Sequence, residues 1–160
     1  MAQVITAKEI YGIETDRTWM SYIPAGLAIA GAIAMLIAKI QIGSGFMSDS
    51  ALMMIALACY IIAALFQLTN LYAPSDMARS IGLWTACLGV FFNLSSWLVR
   101  WVAAYDRELA LLRAGGSSET PWVFRYVPFA NLYDLSLAFA FGAGISTLLL
   151  ARRKNFQILS

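Results

Sequence analysis

The chain has 160 residues, of which 61% are hydrophobic and 12% charged, with a mean hydropathy of +0.71 and a formal net charge of +2. That balance lies outside the range of a soluble globular domain, and the length allows one compact membrane bundle with no separate soluble domain. The small and scattered positive charge excludes nucleic acid as a partner.

Residues 1–18 are mixed polar, carry Lys8, Glu9, Glu14, Asp16 and Arg17, and are expected to form an N-terminal tail. The apolar segment that follows is too long for the h-region of a signal peptide, and acidic residues ahead of it do not suit an n-region, so it is expected to be retained as a first span. That span covers residues 19–40, enough to cross a ~30 Å hydrocarbon core at ~1.5 Å per residue. Trp19 and Tyr22 suit an interfacial start, and Lys39 is expected to snorkel at the far end. Gly26, Ala30, Ala34 and Ala38 recur every four residues. A small-residue stripe of this kind predicts close packing against protein rather than lipid.

A short loop at 42–50 with Gly43, Gly45 and Asp49 leads to a second span, residues 51–72, which carries Cys59, Gln67, Thr69 and Asn70. The tight turn Tyr72-Ala73-Pro74-Ser75-Asp76 forces this span to lie antiparallel beside the third. The third span, residues 80–104, passes through Trp84, Cys87, Asn93, Ser95 and Ser96 to reach Trp97, Arg100 and Trp101. Apolar spacing continues at Val102, Tyr105, Leu109 and Leu112, interleaved with Asp106, Arg107, Glu108 and Arg113. This predicts an amphipathic extension that stops at Gly115-Gly116. Thr120-Pro121 then has the form of an N-cap and first helical residue for a short segment running to Val127. Its Trp122, Phe124 and Tyr126 suit the membrane surface, so the connection to the fourth span is predicted to be interfacial.

The fourth span, residues 129–151, opens on Pro128-Phe129-Ala130-Asn131-Leu132-Tyr133-Asp134. With a helix start near Pro128, Asn131 and Asp134 are three apart and share a face. The positive end of the helix dipole stabilises a carboxylate by roughly 0.3–1 kcal/mol, which offsets only part of its desolvation, so Asp134 is expected to have a cationic partner. Arg100 and Arg125 are the candidates; the alternative is that Asp134 caps its helix and faces interfacial water while Arg100 snorkels. Asp134, Ala138, Gly142 and Ser146 follow at four-residue steps, which makes the acidic face also the predicted close-packing face. The tail, residues 152–160, begins with Arg152-Arg153-Lys154, and a basic cluster beside a span end predicts a cytoplasmic C-terminus and, with four spans, a cytoplasmic N-terminus. Lys8, Arg17, Arg79, Arg152, Arg153 and Lys154 then lie on that side, against Lys39, Arg100, Arg107, Arg113 and Arg125 on the other.

The pair of blocks Trp97-Leu98-Val99-Arg100-Trp101 and Pro128 to Asp134 resembles the N-terminal part of the CcsA/ResC family, the integral-membrane components of System II cytochrome c biogenesis, over residues 80–150. In that family the second block usually reads Pro-x-Ser-Asn-Leu-Tyr-Glu, so Ala130 and Asp134 depart from it. The family's tryptophan-rich external haem-handling segment and haem-ligating histidines are missing; this chain has no His. The resemblance implies a place among membrane complexes that deal with c-type cytochromes. It singles out Trp97, Arg100, Trp101, Asn131, Tyr133 and Asp134, and makes Arg100 the first choice as partner of Asp134.

The sequence offers little catalytic chemistry. Cys59 and Cys87 fall in different spans, where packing as small apolar groups outweighs a disulfide. The absence of Cys-x-x-Cys-His and of any His excludes covalent c-type attachment and the usual axial ligation of haem. Met35, Met53 and Met54 fit core or lipid-facing positions. There is no phosphate-binding glycine loop, no nucleophile with a base and no metal-ligand cluster.

The expected protein is therefore all-α and polytopic, with four transmembrane helices. It is expected to bind no cofactor by itself beyond lipid, with any haem carried by partner subunits. Three functions fit. The first is a non-catalytic accessory or scaffolding subunit of a larger complex in a bacterial inner membrane. The second is one part of a split cytochrome c synthase, and the third a small transporter or quinone-site component.

Overall fold

The computed structural model describes residues 22–126 and 132–150; the expected tails, the helix start at Pro128, and Asn131 lie outside the described residues. Among the described residues the regular structure is wholly helical. The helices are α1 (Ile23–Ile42), α2 (Asp49–Tyr72), α3 (Asp76–Ala114) and α4 (Leu132–Leu150), with short 3-10 turns at Gly43–Gly45 and Val123–Tyr126. All four α-helices are long and apolar enough to cross a membrane, which fits an integral membrane protein.

Local chemistry fixes the ends of these helices. Pro24 sits in the first turn of α1, where its missing N–H costs nothing. At the other end the Lys39 side chain reaches along α1 to its C-terminal end. It is buried, and its Nζ donates to the Gly43 carbonyl at 2.8 Å. Carbonyls at a helix C-terminus lie at the negative end of the dipole, which favours a cation there, and the Gly43 carbonyl also accepts from the Phe46 N–H at 3.3 Å. Ser48 caps α2, its Oγ accepting from the Ala51 N–H at 3.3 Å. Asn70 Oδ1 accepts from the Ser75 N–H at 3.0 Å and closes the tight turn between α2 and α3.

α3 starts earlier than the apolar run indicated and continues without a break through the amphipathic extension. It ends in a Schellman arrangement in which Ser117 N–H bonds to Leu112 O and Gly116 N–H bonds to Arg113 O. Gly116 occupies the left-handed position there, at φ 78°. At ~1.5 Å per residue α3 is ~58 Å long, far more than a ~30 Å core, and residues 101–114 project ~20 Å past Arg100. The return segment differs from expectation. Pro121 and Trp122 are not helical, and only a single 3-10 turn forms, at Val123–Tyr126. That turn docks back on α3, with Trp101 Nε1 donating to the Val123 carbonyl at 2.9 Å and the Trp101 and Phe124 rings 5.8 Å apart.

α3 is the hub of the bundle. α2 packs antiparallel along it, α1 and α4 pack on its other sides, and α2 and α4 barely approach each other directly. The core is built largely from small residues: Ala25 and Ala28 of α1, Ala63 of α2, and Ala86, Cys87 and Val90 of α3, closed by Leu148 of α4.

Within the chain, the two predicted small-residue stripes are not the faces that pack most closely. On α1, Gly26, Ala30 and Ala34 are exposed, and the face that meets α3 is Ala25, Ala28 and Ala32. Phe91 packs close against α1 here: a Cβ at Gly31 would come within 2.9 Å of its ring. On α4, Ala138 and Gly142 are only half-buried and Ser146 is exposed. The buried positions are Asp134, Leu137, Gly144 and Leu148. The close approach falls at Gly144, where a Cβ would lie 2.7 Å from Val90 Cγ2 and 2.8 Å from the Tyr60 hydroxyl. Gly89 of α3 faces the same ring, 2.7 Å from Tyr60 Cδ1 by the same measure. Tyr60 is thus clasped between two glycines, one on α3 and one on α4.

Candidate functional site

Because the spans alternate in direction, the end of α1, the start of α2, the Arg100 region of α3 and the start of α4 come together at one end of the bundle. Asp49 is the first residue of α2, and Asp134 lies in the first described turn of α4. Both carboxylates therefore sit at the positive ends of helix dipoles. Arg100 stands between them. Its Nη1 donates to Asp49 Oδ2 at 3.2 Å, and its Nε lies 2.8 Å from Asp134 Oδ1. The Nε approach is short but not aligned along the N–H, so this arm is an ion pair rather than a directed hydrogen bond. The guanidinium also covers the ring of Tyr133, 4.8 Å from its centroid, within cation–π range.

The two arms differ in burial. Asp134 is 2% exposed, whereas the Asp49 and Arg100 side chains are 29% and 34% exposed. A nearly dry carboxylate in a membrane-spanning helix requires a countercharge, and Arg100 supplies it. Arg125, the other candidate, is exposed, and no ion pair joins it to another described residue. Asp134 accordingly does not face interfacial water.

Two further layers sit below the charged one on the same face of α3. Ser96 Oγ donates to the Asp49 carbonyl at 2.8 Å, so α3 grips the first residue of α2 through both side chain and backbone. Deeper still, Asn93 is fully buried, with Nδ2 3.4 Å from the Tyr60 hydroxyl and from the Leu137 carbonyl; the Tyr60 hydroxyl in turn lies 3.4 Å from the Ala140 carbonyl. The result is a polar ladder of Asn93, Ser96 and Arg100 that touches α2 and α4 at successive levels. Asp49, Ser96, Asn93 and Tyr60 were not anticipated as partners. The spacing of 93, 96 and 100 at i, i+3 and i+7 was the available signal, since it places three polar side chains on one face of a helix.

Of the other predicted residues, Trp101 anchors the return turn, Tyr133 lies under Arg100 and Trp97 is half-buried on α3. Cys59 and Cys87 are free thiols, and Cys87 Sγ lies 3.1 Å from the Pro24 carbonyl, joining α3 to α1. Among the described residues no group of three or more His, Cys, Asp or Glu side chains is placed to hold a metal ion. Trp101→Phe is expected to cost about 0.5–1.5 kcal/mol through loss of the indole hydrogen bond. Amide exchange should quicken at Arg125, whose N–H bonds to the Trp122 carbonyl, with no change at Ser96.

What this arrangement does chemically is join helices: one cation and two carboxylates satisfy one another at the meeting point of three spans. No protein-family model, curated protein or solved structure matches the chain.

Proposed function

We propose that the chain is a non-catalytic accessory or scaffolding subunit of a larger membrane complex linked to c-type cytochromes or electron transfer. The host is a bacterial inner membrane, with both termini cytoplasmic. The observation that carries this is the inward closure of the charged cluster: Arg100 spends its arms on Asp49, Asp134 and the Tyr133 ring, all within the chain. A group that handled protons or an anionic substrate would be free to exchange partners, whereas this one fixes the ends of α2 and α4. The resemblance of the Arg100 and Asp134 blocks to CcsA/ResC proteins supports the link to c-type cytochromes. The lack of His in the sequence supports assigning any haem to partner subunits.

Purification of the tagged chain in mild detergent tests the proposal. Defined integral-membrane subunits are expected to co-purify, and any Soret absorption should leave with them when they are stripped away. Deletion of the gene should destabilise that complex while other c-type cytochromes mature normally. General loss of c-type cytochromes would instead identify part of a split synthase. Binding of a quinone or solute by the isolated chain would identify the transporter or quinone-site alternative.

A further inference from the structure

Arg79 and Arg100 bracket a stretch of α3 with no charged residue, and at ~1.5 Å per residue they stand ~32 Å apart, close to the thickness of a hydrocarbon core. α2 agrees with the boundary at Arg100, since its first residue, Asp49, pairs with that guanidinium. Trp101 is the next residue along α3. The 3-10 turn tied to its indole therefore sits at the same level, where hydrocarbon gives way to headgroups.

The turn turns its apolar side outward there. Trp122, Val123 and Phe124 are 73%, 45% and 64% exposed, and the Trp122 and Phe124 rings meet edge to face with centroids 6.1 Å apart. Polar groups are interleaved with these rings. The Trp122 indole N–H has no hydrogen-bond partner among the described residues, and Arg125 is exposed with no ion pair to another described residue. Such a surface needs apolar neighbours for the rings and, within a few ångströms, acceptors for an indole N–H and a guanidinium. The ester and phosphate layer of a bilayer offers both at the depth where the turn lies.

We infer that the Val123–Tyr126 turn, with Trp122 ahead of it, is a membrane-surface anchor that takes phospholipid headgroups as its partner. The Trp122 and Phe124 rings lie among the lipid esters, the indole N–H donates to an ester or phosphate oxygen, and Arg125 stands beside the phosphates. Because Trp101 Nε1 holds the Val123 carbonyl, the anchor is fixed to α3 and keeps the Arg100 cluster at the boundary, with the rest of the extension projecting into water. The anchor needs only the chain and a bilayer, so it stands apart from the partners proposed above.

The test uses the full chain, labelled with 5-fluorotryptophan, in phosphatidylcholine–phosphatidylglycerol nanodiscs. Fluorine NMR resolves the indoles, and loss of one signal in Trp122→Phe identifies the residue. The Trp122 signal is expected to be broadened at least threefold more by 5-doxyl phosphatidylcholine, whose nitroxide lies near the esters, than by the 16-doxyl lipid, whose nitroxide lies near mid-membrane. A Leu111→Trp reporter on the projecting part of α3 should be broadened by an aqueous gadolinium chelate and not by either lipid. A Trp122 signal that responds to the chelate alone would put the turn in water and overturn the inference. So would a signal that responds to none of the three reagents, which would mean a covering protein, or one broadened most by the 16-doxyl lipid. Broadening of the Leu111→Trp reporter by 5-doxyl lipid would equally overturn it, because the boundary would then not lie at Trp101.

Discussion

Arg100→Gln should destabilise the bundle by about 3–5 kcal/mol, the range found when one partner of a buried ion pair is removed and the other is left behind. The cost arises at Asp134 rather than at Asp49. Asp134 is 2% exposed, so without the guanidinium its carboxylate loses its countercharge in a nearly dry site. Asp49 is 29% exposed and can rehydrate, so Asp49→Asn alone should cost only about 0–1 kcal/mol. The ranking is the informative part. Unfolding in mixed micelles should place Arg100→Gln far below Asp134→Asn, which leaves no unpaired buried charge, and Asp134→Asn below Asp49→Asn, with amide protection lost first around Asp134 in the Arg100 variant. Equal effects from the two aspartates would mean that burial does not govern the cluster.

Gly144→Leu is expected to be the most disruptive apolar substitution. Even Gly144→Ala places a Cβ 2.7 Å from Val90 Cγ2 and 2.8 Å from the Tyr60 hydroxyl. Val90 is fully buried on a helix and cannot retreat. Overpacking of this kind costs typically about 1–3 kcal/mol, which exceeds the gain of up to ~1 kcal/mol from replacing glycine within a helix. The larger side chain should separate α4 from α3 and release the Tyr60–Asn93 contacts with it. Gly142→Ala meets nothing within 4 Å, so it should be neutral or slightly stabilising. Thermal unfolding of the three variants checks the order; greater damage from Gly142→Ala than from Gly144→Ala would contradict the packing described here.

That contrast also shows where the sequence stops being legible. The four spans could be read because a run of about twenty apolar residues has few other uses. The Schellman stop at Gly115-Gly116 could be read because its chemistry is local. The packing faces could not. In a globular protein a helix announces its buried side by polarity, but every side of α1 is apolar, so an alanine-rich helix presents several small-residue stripes and only the partner selects one. Within the chain, Ala25, Ala28 and Ala32 are the buried set and Gly26, Ala30 and Ala34 the exposed one. On α3 the polar residues carried more information, since Asn93, Ser96 and Arg100 share one face. Asp49 was missed because it sits in a loop by composition, and only the alternation of the spans brings that loop to Arg100. Asp134 could be recognised as needing a partner because a carboxylate in a span has few tolerable surroundings.

If Arg100 and Asp134 form a structural clamp closed within the chain, a double-mutant cycle on this pair reveals it. Stability would be measured for the unaltered chain, Arg100→Gln, Asp134→Asn and the double variant under one set of micelle conditions. The clamp predicts a coupling within the range of about 0.5–3 kcal/mol seen for contacting residues, with the double variant more stable than the sum of the single losses implies. Additive effects, with a coupling near zero, would contradict it.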